Sequence, residues 1–355
     1  MTRVAIVILN WNGRHFLEKF LPLLVRHTTR PGVEIIVADN ASTDDSVEWM
    51  EKHHASDTRL IRLERNFGFA GGYNRALEQV EATYYLLLNS DIEVTENWLD
   101  PLVELLDFYP ELAACSPVLA DYEKRDMYEY AGAAGGYIDR YGYTFCRGRI
   151  FDHTEKIDPD FRDPVEVFWT TGACMLVRSE VFQSAGGFDD HFFAHMEEVD
   201  LCWRMKNMGH RLAVVPASVV YHVGGGTLPK SNPFKTYLNF RNNLFLLYKN
   251  LPENLVGPTI RRRLLLDFLS AVRFMFSFSL KDIRAIWRAH RDYRKKRKDY
   301  RKVREALAPR ITDKKHPEIY QGSVVFDFFL GGRKRFAELK HRFGATMDQQ
   351  LIESK

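Results

Sequence analysis

Val4-Ala5-Ile6-Val7-Ile8-Leu9 is an unbroken run of β-favouring apolar residues, and an amphipathic stretch at residues 17–26 follows it. The pair recurs at residues 33–38 and 46–53, then at 60–63 and 71–80, and a fourth apolar run occupies 84–88. Strand-like runs alternating with helical stretches read as βαβ units on a parallel sheet. Strands apolar at every position are buried on both faces, so helices must cover the sheet. Pro22 argues against a perfect helix after the first strand, whereas Pro101 suits the first turn of a helix after Trp98.

Outward from this region the pattern changes. From about Cys115 to Val165 the chain is rich in Gly, Tyr and charged residues, which reads as a hairpin-and-loop insertion. Strand-like order returns at 173–177 and 212–215. Between them Leu201, Met205 and Met208 recur at i, i+4 and i+7, predicting a helix over 197–208 whose first turn carries Glu197, Glu198 and Asp200. After about Lys235 the chain reads as helical and basic. Polar residues from Arg263 through Asp267, Ser270, Arg273 and Ser277 to Arg291 wind one narrow stripe along a largely apolar helix. Asp267 and Arg273 interrupt the roughly 20 apolar residues that a membrane span requires, so an interfacial helix is expected. The expected division is residues 1–250 and a helical, basic region at 251–355.

With 355 residues, 45% hydrophobic and 13% aromatic, the chain can bury a substantial core, which excludes disorder throughout. The net charge of +3 hides an asymmetry: between Arg261 and Arg304 sixteen Lys or Arg face four acids. Cys115, Cys146, Cys174 and Cys202 form no CxxC pair, which disfavours a zinc ribbon or a disulfide framework and fits a reducing compartment. The first residues lack the length and cleavage site of a signal peptide, so a cytoplasmic location is expected.

Val37-Ala38-Asp39-Asn40-Ala41-Ser42-Thr43-Asp44 places a carboxylate and small polar residues where a buried strand emerges, the edge at which open α/β sheets bind ligands. Asp39 can accept hydrogen bonds from a base imide or a ribose hydroxyl; helix capping by Ser42 or Asp44 leaves it unexplained. Asn66-Phe67-Gly68-Phe69-Ala70-Gly71-Gly72-Tyr73-Asn74 also joins strand to helix, but it lacks the G-x-G-x-x-G fingerprint, and a plain turn is an equal reading. Asn89-Ser90-Asp91-Ile92-Glu93 ends a third strand in carboxylates that suit a hard divalent ion shared with diphosphate oxygens. Glu197, Glu198 and Asp200 exceed what a helix cap uses, and their crowding raises at least one pKa, as a general base requires. Tyr221-His222-Val223-Gly224-Gly225-Gly226-Thr227 sets a histidine before a glycine run, where it can serve as a ligand or phosphate contact.

Taken together, ILNWNG, ADNASTDDS, NFGFAGGYN, NSDIEV, TTGACMLVRSEVF, GGFDDHFF, EEVDLCWR and YHVGGG resemble, in order, the motifs of family 2 glycosyltransferases, with the closest wording in those similar to bacterial rhamnosyltransferases. The resemblance covers roughly residues 3–250. It implies the GT-A fold, a mixed, mostly parallel α/β sheet flanked by helices, with the helical basic extension appended. It further implies that Asn10 and Asn12 line the donor pocket, Asp39 holds the base, Asn66 and Gly71 shape the nucleotide site, Asp91 and His222 hold Mg²⁺ or Mn²⁺, and Glu198 is the catalytic base. Two departures stand out: Asn89 replaces the first acid of the D-x-D metal motif, with Glu93 as a candidate substitute, and Glu197-Glu198 replaces the usual Glu-Asp pair, keeping Glu197 and Asp200 as alternative bases. The implied reaction is inverting transfer from a dTDP- or UDP-linked sugar, rhamnose among the candidates, to a glycan or lipid-linked glycan.

Two other functions fit parts of the sequence. A sugar nucleotidyltransferase would share the sheet but carry a Gly-rich, Arg-bearing loop where this chain reads NWNGRHF. A nucleic-acid-binding protein would use Arg294-Lys295-Lys296-Arg297-Lys298, but this tract adjoins an apolar helix, which suits an anionic membrane surface better. The expected setting is thus peripheral, at the inner face of the cell membrane.

Overall fold

A computed structural model describes residues 2–224, 232–311 and 316–343. Strands β1 (Val4–Asn10), β2 (Val33–Asp39), β3 (Arg59–Arg62) and β4 (Tyr84–Asn89) alternate with helices α1 (Arg14–His27), α2 (Ser46–His53) and α3 (Gly68–Leu77). These four strands are parallel, in the order β3-β2-β1-β4. Then follow β5 (Ile92–Val94), α4 (Asp100–Phe108) and β6 (Leu112–Asp121). A small insertion sheet comprises β7 (Gly136–Asp139), β8 (Thr144–Cys146), β9 (Arg149–Ile150) and β10 (His153–Thr154). The chain returns through β11 (Val165–Glu166), β12 (Cys174–Arg178), α5 (Ser179–Ser184), α6 (Glu197–Asn207) and β13 (Arg211–His222). The nine-stranded sheet runs β11-β13-β6-β12-β4-β1-β2-β3, with β5 on β13; β12 is antiparallel to β4 and β6, so the sheet is mixed.

Both faces are covered, as unbroken apolar strands require. Val4, Ile6 and Ile8 pack with Leu17, Leu21 and Leu24 of α1 and Leu102 of α4. Ala5 and Val7 face the opposite layer with Tyr73 and Ala76 of α3. The two-residue side-chain period thus assigns alternate residues of β1 to two cores.

Local details depart from the sequence expectations. Pro22 lies inside α1 without ending it. β6 continues through residues read as the start of the insertion, because Cys115–Leu119 is buried between β12 and β13. The long basic helix is two, α8 (Glu253–Phe276) and α9 (Leu280–Leu307), broken at Phe278 with φ +53°. They pack with α7 (Pro233–Asn250). The first part of the polar stripe of α8 turns inward, while Arg273 and Ser277 stay exposed: Arg263 Nε lies 2.7 Å from Asp267 Oδ1, and His290 Nε2 of α9 lies 2.9 Å from Asp267 Oδ2. The region after α9 is not purely helical, since β14 (Ile319–Tyr320) pairs with β7 before α10 (Val324–Phe329). All four cysteines are free and buried.

Candidate active site

The pairing Asn10↔Asp39 and Leu9↔Asn89 brings the carboxyl ends of β1, β2 and β4 side by side. Asp39 is buried; Asn10 Nδ2 donates to its Oδ1 at 3.1 Å and the Ser42 amide to its Oδ2 at 3.0 Å. Asn12, at φ +53°, accepts the Thr43 amide at 2.7 Å, holding the β1 and β2 loops together. The third loop joins through Asn40, whose Nδ2 donates to Asn66 Oδ1 at 3.1 Å and whose Oδ1 accepts the Phe67 amide at 3.0 Å. The glycines that follow serve close packing: a Cβ on Gly72 would lie 2.8 Å from Leu9, and one on Gly71 3.1 Å from Arg75 and Phe67. Five of the sequence candidates, Asn10, Asn12, Asp39, Asn66 and Gly71, therefore share one set of loops.

Beyond Asn89 the chain turns, and the pairing of β5 with β13 sets Asp91 beside His222. His222 Nε2 is 3.1 Å from Asp91 Oδ1, and Nδ1 is 3.2 Å from Oε2 of Glu129, a residue that sequence reasoning missed. Burial opposes charge on the imidazole, but Glu129 and Asp91 outweigh it and push His222 up to about 10. Burial likewise opposes ionisation of Asp91, yet His222 holds its carboxyl below the usual range. Glu93 does not join them: its Oε1 lies 2.9 Å from Arg125 Nη1. Among the described residues no three His, Cys, Asp or Glu side chains converge as a metal cage. A hard ion that takes most of its shell from diphosphate and water uses only one or two protein ligands. Asp91 and His222 would meet that requirement, and Glu129 Oε2 lies 3.2 Å from the other ring nitrogen, where it could orient the imidazole. Gly225, Gly226 and Thr227 lie outside the described residues.

Glu198 enters from α6. A Cβ on Gly172 would lie 3.5 Å from that of Glu198, and the next residue, Ala173, accepts the Asn89 amide at 2.9 Å, so the glutamate stands next to the end of β4. The loop before α6 holds Phe193, His195 and Met196 at φ +64°, +68° and +72°, conformations that cost non-glycine residues energy and persist only where the surroundings impose them. One buried oxygen on Glu197 and one on Glu198 have no hydrogen-bond partner. Burial raises both carboxyls, Glu197 well above its ordinary value and further under the charge of Glu198, while helix amides partly restore the ionised form of Glu198. Glu198 is the more accessible of the two.

Asp200 is a correction to the sequence candidates. It is fully buried, with Oδ2 held by Arg204 Nε at 2.9 Å and Lys249 Nζ at 2.8 Å, and Oδ1 by Asn250 at 2.9 Å. Its role is to bind α6 to α7. Sequence reasoning also missed Asn242; two asparagines in the middle of an apolar helix, Asn242 and Asn243, are the signal that could have found it.

A model of the family described as glycosyl transferase family 2 matches residues 5–186, just over half the chain. The chain is 27% identical over 238 residues to an N-acetylglucosaminyl-diphospho-decaprenol L-rhamnosyltransferase of Mycobacterium tuberculosis, covering 62% of this chain and 75% of that protein. It is 28% identical over 258 residues to the O-antigen biosynthesis protein RfbC of Myxococcus xanthus, covering 67% of this chain but 19% of that protein. The fold is similar to that of GalNAc-T7 solved with UDP, GalNAc and Mn²⁺, at TM-score 0.56 and 17% identity over 70% of this chain and 48% of that one. It is also similar to a mannosyltransferase of Pyrobaculum calidifontis solved with GDP-Man and Mn²⁺, at TM-score 0.51 and 14% identity over 88% and 86%. With the motif-bearing loops assembled on one sheet edge and the family match spanning them, the chain belongs to glycosyl transferase family 2 and is a glycosyltransferase.

Proposed function

We propose that this glycosyltransferase inverts configuration, moving a sugar from a dTDP- or UDP-linked donor to a hydroxyl of a lipid-linked glycan at an anionic membrane surface. The observation that carries the reading is Glu198, an ion-capable carboxylate with an unpartnered oxygen beside the loops that end β1, β2 and β4. Asp39 and Asn10 bind the nucleoside, with Asn12, Asn66 and Gly71 shaping the loops around it and Asn89 at the diphosphate end. Glu198 accepts the acceptor hydroxyl proton as the oxygen attacks the anomeric carbon from the face opposite the diphosphate. Asp91 and His222 are the residues that would hold Mg²⁺ or Mn²⁺, which neutralises charge on the departing diphosphate. Rhamnose, and an acceptor carried on a lipid diphosphate, are supported by the name of the mycobacterial relative.

The membrane setting is supported by the α8–α9 pair. Phe268, Met275, Phe276, Phe278 and Trp287 are exposed, Phe278 at 91%, while Arg263 and Asp267 of α8 are turned inward. Residues 294–298, all basic, are exposed on α9. An outward apolar face flanked by cations suits an interfacial helix on anionic lipid. Among the described residues no helix is long and apolar enough to cross a membrane.

The deciding experiment is Glu198→Gln. Nucleoside diphosphate release should fall at least ~100-fold, within the range a general base contributes, with donor affinity retained. Near-normal turnover would remove Glu198 from the role.

A further inference from the structure

Arg149, on β9 of the insertion, is buried at 7% exposure, yet it forms no ion pair with a carboxylate among the described residues. Its Nη2 donates to Cys146 Sγ at 3.2 Å, its guanidinium lies 5.0 Å from the centre of the half-exposed Tyr130 ring, and its Nε has no acceptor. A thiol sulfur and a ring face are weak partners for a group with five donors. Burying such a cation costs free energy that a directly bonded anionic acceptor would offset best. The nearest internal carboxylate, Glu129, attracts the guanidinium without pairing with it, its Oε2 lying 3.2 Å from His222 Nδ1 and 2.5 Å from the Ala131 amide.

The surroundings indicate what completes it. Tyr130, which Arg149 faces, lies between Glu129, whose Oε2 is 3.2 Å from His222 Nδ1, and Gly132, where a Cβ would lie 2.7 Å from Thr171, the neighbour of the Gly172 that packs against Glu198. Arg149 therefore borders the region that holds Glu198 and His222.

We propose that Arg149, backed by Tyr130, is a phosphate-binding residue of this site, its planar fork of N–H donors taking oxygens of a phosphate ester or anhydride. The proposal rests on the glycosyltransferase reading, which brings phosphate here in two forms, the diphosphate of the donor and the phosphate of a lipid-linked acceptor.

The test uses the full-length protein and its Arg149→Met and Arg149→Lys variants. UDP, dTDP and inorganic pyrophosphate are titrated by calorimetry, and KM is measured for a diphospholipid-linked acceptor and for an alkyl glycoside lacking phosphate. Loss of about tenfold or more in nucleotide and pyrophosphate affinity in Arg149→Met supports the donor arm. Unchanged nucleotide affinity with a similar rise in KM for the diphospholipid acceptor alone supports the acceptor arm. Affinities and KM values all within twofold of the wild type, while the wild type binds nucleotide and turns over, overturn the proposal and leave the enzyme reading intact. A wild type that binds none of these ligands overturns both. If the methionine variant does not fold, the lysine variant decides: a threefold or larger loss in either arm supports the proposal, and equality within twofold overturns it.

Discussion

The side-chain amide of Asn242, in the middle of α7, donates to the carbonyl oxygen of His195 at 2.7 Å, two residues before the α6 acids. The same Nδ2 is 3.0 Å from Phe192 O and 2.9 Å from Ala194 O, and Arg241 Nη2 donates to His191 O at 2.7 Å. The strained loop that aims Glu198 is therefore held from outside, by a helix that also packs on α8 and α9.

Because a displacement of about 1 Å at a reacting group can cost ~100-fold in rate, Asn242→Ala should lower kcat between about 10- and 100-fold. Donor affinity, which Asp39 and Asn10 are proposed to set, should stay within twofold. Stopped transfer assays with parallel nucleotide titrations check this split; an unchanged kcat in a folded variant would assign the clamp to stability alone.

The pH dependence has a definite sign. Burial raises Glu198, and a general base works ionised, so kcat should fall as pH drops through a limb above the ordinary glutamate range. For stability, the raised pKa of Glu197 means that the folded state binds the proton more tightly. That contribution is complete below the unfolded-state value and is lost as pH rises through the folded one. Glu197→Gln should therefore flatten the decline of stability towards alkaline pH, measured by denaturant titration across pH.

Removing Asp200 leaves Arg204 and Lys249 buried without their shared carboxylate. Asp200→Ala should destabilise by about 3–5 kcal/mol, the usual cost of breaking a buried pair from one side. A variant with wild-type unfolding free energy would contradict the structural role assigned to Asp200.

If His222 meets a divalent ion through Nε2, Glu129 orients the ring from behind. Glu129→Gln should then raise the Mn²⁺ concentration for half-maximal activity about tenfold, as the loss of such supporting carboxylates typically does. Metal titration of turnover measures it, and an unaltered midpoint would detach Glu129 from the ion.

Phe276→Ser combined with Phe278→Ser removes two of the most exposed aromatic side chains at the α8–α9 break. Sedimentation with phosphatidylglycerol vesicles should fall several-fold against the wild type, whose own binding should weaken in high salt. Equal sedimentation of both proteins would place the lipid contact elsewhere.

The parallel half of the sheet, the α6 helix and the loops carrying Asp39, Asp91 and Glu198 were legible from residue order alone, because hydrophobic period and strand-end position are local properties. Which acid of α6 keeps an unpartnered oxygen beside the end of β4 was not. Glu198 and Asp200 are two residues apart on a helix, about 200° around its axis, so one lies beside Gly172 at the end of β4 and the other against α7. Only packing against Lys249 and Asn250 decides between them. Glu93 offers a substitute carboxylate in sequence, but in the fold it pairs with Arg125. Glu129, Arg149 and Asn242 come from segments with no motif, brought in by an insertion sheet and a helix distant in sequence. The sequence by itself determined the scaffold and the loops that gather at one sheet edge; the tertiary structure decided which side chains there are paired and which are left unpartnered, because burial and charge pairing arise from contacts between residues far apart in the chain.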